Sequence, residues 1–520
     1  MYFQRGEWRA SLARDRLYSA EQYFRTDHLQ ADLRRRALRG GTAALASQGC
    51  KFFLQLVSTA VLARLLTPGD YGSFAIVFAV VTFFSIFKDL GLHLATVQRA
   101  EITHEQISAL FWINFGMSCA LALLTALSAP AVGLLYGEPR LVWMTVALGA
   151  GFLFAGLGSQ HRALLRRQLS MTLLSAVDLA SFFLGVVVAI CSALLGARYW
   201  SLVLMQLAAE AGGAAGLWAV CRWRPGRPSR RAGVRPMLVF GGHLTGFEVI
   251  SYLTRKCDDL IVGWYCGVEQ LGFYDKAYQL LLLPARQFAY PLSGVTIPVL
   301  SRLQNDPRRY REYFEKCILF VVAPGMPLVA FLFVVAGKAI PFILGDQWAG
   351  SVALFRALAP AAFLGTLNSG VGWIFVSLGR TRRQFKWSLA VSVLTLVSFF
   401  VGVRWGAVGV AVAYTAGRVL VQLPTLIYSC HGTPLSWVSV VKTVSRPALA
   451  SVAAAAVLAL VDARLSSATN RALTLTAEAA LYLLLYVAAW AALPDGRRTM
   501  RETLALAKSF WRKGEEADQV

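Results

Sequence analysis

Six cations, Lys51, Lys88, Arg255, Lys256, Lys276 and Arg286, stand inside stretches of sequence otherwise apolar enough for a lipid bilayer. An ionisable side chain facing lipid is costly, so residues of this kind face a cavity or pair with one another. Ammonium and guanidinium groups in a hydrated cavity suit one chemistry well, the holding of phosphate oxygens, and the planar arginine fork suits it best. Arg286 is therefore the strongest single candidate, midway along an apolar run that carries Pro284, Pro291 and Pro298 at seven-residue spacing. Each proline favours a kink, and at two-turn spacing the three share nearly one face of a bent helix.

Carboxylates occur in the same kind of sequence: Asp89, Asp178, Glu210, Glu248, Asp258, Asp259 and Asp275. Asp89, Glu210, Glu248 and Asp259, with the further cation Arg418, read either as proton- or cation-coupling groups or as ion-pair partners. The neighbours Lys88-Asp89 and Asp275-Lys276 point about 100° apart on a helix, so each side chain calls for a partner on another helix or for water. Lys88 is expected near an inner entrance with Asp89 bonded across to a neighbouring helix; a gate-locking ion pair fits the same two residues. Arg255, Lys256, Asp258 and Asp259 crowd together in TRKCDDL and fit either a cavity or an outer rim.

Nothing here calls for catalysis. The sequence has no phosphate-binding GxxxxGK[ST], no HExxH, no GxSxG and no paired CxxC, and no loop is large enough to carry an extramembrane catalytic domain. The 8 cysteines are scattered, several of them within apolar runs, where cysteine acts as a small apolar residue, so neither a disulfide nor a metal is expected. No cofactor is implied, with Na+ or H+ coupling left open.

The elements that position these residues follow from composition. Hydrophobic residues make up 57% and charged residues 15% of 520, with a mean hydropathy of +0.54, far from a soluble domain. Apolar runs of about 20 residues, enough to cross a hydrocarbon layer of about 30 Å as helices, fall near 43–66, 73–94, 107–129, 141–160, 172–195, 199–221, 237–265, 271–301, 317–336, 351–378, 384–403, 406–429, 441–462 and 473–493. The net charge of +23 could suggest nucleic acid, but its distribution argues otherwise. Connections after even-numbered spans hold about 18 Lys and Arg against about six after odd-numbered ones, the positive-inside asymmetry, which predicts cytoplasmic termini. Arg222 to Pro236 is the densest marker and reads as a topology anchor on anionic lipid. The first forty or so residues are basic, lack a signal-peptide core, and read as an amphipathic or disordered inner-surface segment.

An offset of 200 residues sets GGTAALASQGCKFFLQLVSTAVLARLLTPGDYGSF on FGGHLTGFEVISYLTRKCDDLIVGWYCGVEQLGFY, carrying Gly41 to Gly241, Gly72 to Gly272 and Phe74 to Tyr274. Six spans separate the copies, so they share an orientation, as in a parallel repeat. The expected fold is an all-α polytopic membrane protein of about 14 transmembrane helices, two six-helix lobes (43–236 and 237–440) plus two C-terminal helices (441–494), between a basic segment (1–42) and a basic tail (495–520).

The stretch ARLLTPGDYGSFAIVFAVVTFFSIFKDLGLHLATVQRAEITHEQISALFWINFG, with its L-x-P-x-D-x-G, D-L-G-L, V-Q and L-F-W-x-N elements, resembles the polysaccharide-exporting branch of the multidrug/oligosaccharidyl-lipid/polysaccharide flippase superfamily. The run from Phe240 and the following IPVLSRLQNDPRRYREYF resemble that branch's second lobe. The resemblance covers roughly residues 40–430. It implies a cationic central cavity and transfer of an undecaprenyl-pyrophosphate-linked oligosaccharide from the inner to the outer leaflet of a bacterial cytoplasmic membrane, by alternating access. It implies, as partners, membrane lipids and other glycan assembly proteins, and by location Lys51, Lys88, Arg255, Lys256, Lys276 and Arg286 match its basic cavity residues. Arg418 is no recognised part of the pattern. A cation-coupled multidrug antiporter, a peptidoglycan-precursor flippase and a membrane enzyme of glycan assembly remain as alternatives, of which the antiporter calls for a negatively charged cavity.

Overall fold

The computed structural model describes residues 33–88, 96, 102–227, 252, 256–462 and 471–503, with side chains throughout except at 33–45 and 282–291. Among the described residues the regular structure is helical, without strands. Lipid offers no hydrogen bonds, so an apolar run must satisfy its own backbone, and the helix is how a single segment does so. Ten helical stretches among the described residues are long and apolar enough to cross a membrane. The chain is an all-helical, multi-pass membrane protein.

The chain divides into two units at the boundary between Lys256 and Cys257. The first contains α1 (Leu33–Leu65), α2 (Pro68–Ser85), α3 (His104–Tyr136), α4 (Arg140–Arg167), α5 (Met171–Leu194) and α6 (Trp200–Val220). A two-residue corner joins α1 to α2. There Thr67 Oγ1 accepts from the Asp70 amide (3.2 Å), while the Asp70 carboxylate accepts from the Thr67 amide (3.0 Å) and hydroxyl (2.8 Å). This capping box, with Pro68 as first helical residue, satisfies amides that lipid could not and is worth about 1 kcal/mol.

In this unit α4 packs against α2, α3, α5 and α6. Small residues let the helices touch: a Cβ on Gly156 of α4 would lie 2.5 Å from Ser118 Oγ of α3, the close approach that small side chains permit between membrane helices. At one end Phe111, Leu164, Leu165, Val177 and Leu217 form a shared core with Trp223. The backbone just past α6 is strapped to α3, with Trp223 Nε1 donating to His104 Nδ1 (3.1 Å) and the Gly226 amide to Ser108 Oγ (2.9 Å).

The second unit contains α7 (256–266) from Cys257 onward, α8 (Val268–Arg302), α9 (Pro307–Leu344), α10 (Ser351–Gly365), α11 (Asn368–Ser377), α12 (Thr381–Gly402), α13 (Gly406–Cys430), α14 (Trp437–Asp462) and α15 (Arg471–Ala492). α8 starts at Val268 and α2 at Pro68, the offset that carries Gly41 to Gly241. α9 is the pillar, contacting α8, α10, α14 and α15. The buried stripe Glu478, Tyr482, Tyr486 and Trp490 turns α15 toward it: Tyr486 Oη donates to the Ala323 carbonyl of α9 (2.8 Å), and Tyr482 Oη to the Ser451 carbonyl of α14 (3.1 Å). Glu478 Oε1 accepts from Lys338 Nζ of α9 (2.6 Å), and Asp462 at the end of α14 takes the same ammonium.

Candidate functional site

The first unit encloses a cavity of about 500 Å3 walled by α1, α4, α5, α6 and the turn that follows α2. The space exists because α4 contributes Ala155 and Gly158, and α6 contributes Ala209, Gly213 and Ala214, where larger side chains would fill it. The sequence AAEAGGAAG thus has two faces. Gly212 and Gly216 lie against Ser181, Leu184 and Val177 of α5, while Ala209, Gly213 and Ala214 line the cavity.

Four cations line this space: Lys51 from α1, Lys88 three residues past α2, and Arg162 and Arg166 one turn apart on α4. Two carboxylates accompany them, Asp178 of α5 and Glu210 of α6. Arg162 grips Asp178 with both ends of its fork, Nη2 to Oδ1 at 2.8 Å and Nη1 to Oδ2 at 3.1 Å. Lys51 Nζ stands 3.9 Å from the same carboxylate. Gln206 Nε2 donates to Glu210 Oε1 (3.1 Å), so that carboxylate has an amide partner on its own helix. Among the described residues no ion pair engages Arg166 or Lys88. Charge sums to an excess of two positives around a cavity that also exposes Phe154 and Phe182. The chemistry of such a lining suits an anion: a phosphate oxygen would find donors already in place and would relieve repulsion among like charges.

The expected site residues divide into three groups. Lys51, Lys88 and Glu210 meet on this cavity, together with Asp178. In the second unit Asp258, Asp259, Asp275 and Lys276 are buried. There Tyr274 Oη donates to Asp258 Oδ2 (3.1 Å), and Gln279 serves both members of the adjacent pair, donating to Asp275 Oδ2 (2.6 Å) and accepting from Lys276 Nζ (3.3 Å). Lys256 lies on α7, and Arg418 is half-buried on α13. Asp89, Glu248 and Arg255 lie outside the described residues, as does the side chain of Arg286, whose backbone belongs to α8. The need for a partner on another helix or for water at Asp275-Lys276 is met differently in part: Gln279 is four residues from one and three from the other, and a single amide reaches both.

Arg162 and Arg166 are the residues that the hydropathy pattern hides. The fourth apolar run ends near 160, yet α4 continues to Arg167, about two turns further. The available signal is the i, i+4 spacing of the two arginines within HRALLRRQ, which places both on one helical face. No group of three or more His, Cys, Asp or Glu among the described residues is placed to hold a metal ion, and all 8 cysteines are free thiols.

Residues 61–353 match the family model described as polysaccharide biosynthesis protein. The chain belongs to this family. Among curated relatives, the lipopolysaccharide biosynthesis protein WzxC of Escherichia coli is 24% identical over 72% of this chain and 76% of its own length. The teichuronic acid biosynthesis protein TuaB of Bacillus subtilis is 26% identical over 69% and 74%. The succinoglycan biosynthesis transport protein ExoT of Rhizobium meliloti is 25% identical over 68% and 72%. Among solved structures, the lipid II flippase MurJ in an inward closed conformation superposes with a TM-score of 0.70 at 14% identity, covering 86% of this chain and 97% of its own. An inward-facing multidrug resistance transporter of the MATE family gives 0.58 at 13% identity, covering 73% and 93%. The fold is therefore shared with both of these transporters.

Proposed function

We propose that this polysaccharide biosynthesis protein is a flippase that moves a lipid-linked oligosaccharide, joined to undecaprenyl through pyrophosphate, from the cytoplasmic to the outer leaflet of the bacterial inner membrane for exopolysaccharide, capsule or O-antigen assembly. The observation that carries this reading is the cationic cavity of the first unit, four cations against two carboxylates, in a chain of this family. A charged, sugar-bearing headgroup is excluded from about 30 Å of hydrocarbon. A hydrated cationic recess replaces lost water with fixed donors while the apolar tail stays in lipid. Arg162, Arg166, Lys51 and Lys88 hold the phosphates, and Glu210 is the acid positioned for coupling to H+ or Na+. The relatives whose names mention lipopolysaccharide, teichuronic acid and succinoglycan support the substrate class. The positive excess disfavours a cavity built for cationic drugs.

Both termini lie in the cytoplasm, with loops after even-numbered spans inside. The division into 43–236, 237–440 and 441–494 reflects a parallel repeat that works by alternating access, supported by the matched starts of α2 and α8. Arg255, Lys256, Lys276 and Arg286 are the cations of the second half, and other glycan assembly proteins take the product. The deciding experiment is deletion of the gene followed by leaflet-resolved analysis of lipid-linked repeat units, which should accumulate on the cytoplasmic side. Intact surface glycan together with new sensitivity to cationic drugs would overturn the reading. Arg286→Ala should abolish export while the protein still reaches the membrane, and normal export by that variant removes Arg286 from the path.

A further inference from the structure

Asp178 is placed oddly for a site that holds anions. Its carboxylate occupies both arms of the Arg162 fork and lies 3.9 Å from Lys51, so an acid of the protein sits on the best phosphate donors in the cavity. A guanidinium presents the same two parallel N–H groups to a carboxylate and to a phosphate. The neighbouring Arg166 and Lys88 line the same space with no ion pair among the described residues. The half-buried pair is not sealed in, since the Arg162 and Asp178 side chains are 34% and 27% exposed.

Resting on the flippase reading, we propose that Asp178 is a built-in stand-in for the headgroup phosphate: it holds Arg162 and Lys51 while the cavity is empty, yields them when a phosphate arrives, and takes them back when it leaves. Three physical consequences favour this over a plain structural pair. Without Asp178, Lys51 and Arg162 would repel one another, damped but not cancelled by water, whenever the cavity stood empty. An incoming phosphate first meets Arg166 and Lys88, which are open, and then displaces Asp178, so binding becomes an exchange of partners instead of a simple gain. Exchange limits affinity, and a carrier that binds its cargo too tightly cannot release it. Asp178 is in this sense a positioning residue that sets the release rate.

The test uses the full chain purified in detergent and titrated calorimetrically with inorganic pyrophosphate, beside export measured in cells. Asp178→Asn should bind pyrophosphate about tenfold more tightly, the loss of one competing charge pair, yet export more slowly than the natural chain. Asp178→Glu, which keeps the charge, should restore affinity toward the natural value. Arg166→Ala should weaken binding. If Asp178→Asn binds no more tightly while Arg166→Ala binds more weakly, the stand-in is overturned and the anion cavity survives. If the natural chain and Arg166→Ala bind alike or not at all, the cavity reading itself fails and this proposal with it. Should Asp178→Asn not accumulate, infrared difference spectra of the natural chain decide: saturation with pyrophosphate should shift a carboxylate band that moves again in Asp178→Glu, and a band unmoved by pyrophosphate overturns the proposal.

Discussion

Each unit holds a cluster of half-buried charge, and these two clusters are built on opposite balances. In the first unit four cations and two carboxylates surround about 500 Å3 of space, leaving positive charge over. In the second, one ammonium, Lys338, is clasped by Asp462 and Glu478 in direct contact, leaving negative charge over. The first arrangement has room for a counter-charge from outside. The second is a strut that joins the ends of α9 and α14 to the side of α15. Charge in apolar surroundings thus points to a ligand most directly where it comes with volume and an imbalance that a ligand can correct.

Substitutions separate the strut from the site. Lys338→Met leaves two carboxylates facing each other, one of them on a Glu478 that is 4% exposed, and should lower stability by about 3 kcal/mol, the low end for a broken buried pair because Lys338 itself is 28% exposed. Thermal unfolding in detergent and the amount of protein in the membrane read this loss, and an unchanged melting temperature would mean that the cluster is no strut. Arg162→Ala should do the reverse, cutting export at least about tenfold with protein levels maintained; full export by that variant would show that the cavity lies off the transport path. Thr67→Ala removes the capping box at the α1–α2 corner and should cost about 1 kcal/mol in melting measurements with export per molecule unchanged. Glu478→Gln relieves the negative excess while keeping the shape, so its stability should stay within about 1 kcal/mol of the natural chain. A large loss there would show that both carboxylates are needed and that the second cluster is balanced by a group beyond Lys338.

Hydropathy made most of the helices legible, because the length of an apolar run is set by the bilayer and survives any sequence. The run at 172–195 became Met171–Leu194, and that at 406–429 became Gly406–Cys430. Lys51, Lys88, Asp178 and Glu210 were legible as charges in apolar surroundings, and all four line one cavity. Arg162 and Arg166 were not, because an arginine near a span's end reads equally as a topology signal. Only the continuation of α4 to Arg167 turns them inward. Lys338 likewise lies beyond the expected 317–336 run, and α9, which extends to Leu344, carries it to its two partners. Helix ends in membranes are fixed by caps and packing, which hydropathy does not see.

The Lys338 cluster also has a consequence for how the chain is made. A ribosome delivers α9 well before its partners, for Asp462 follows Lys338 by 124 residues and Glu478 by 140. During that interval the ammonium enters the membrane with neither carboxylate yet synthesised, and it must wait at the headgroup level on its flexible stem. α15 then arrives with Glu478, Tyr482 and Tyr486 facing α9 and α14 and closes the cluster. Nascent chains stalled before Asp462 would display an unclaimed lysine, and those stalled before α15 an open apolar seam, two marks of an unfinished molecule.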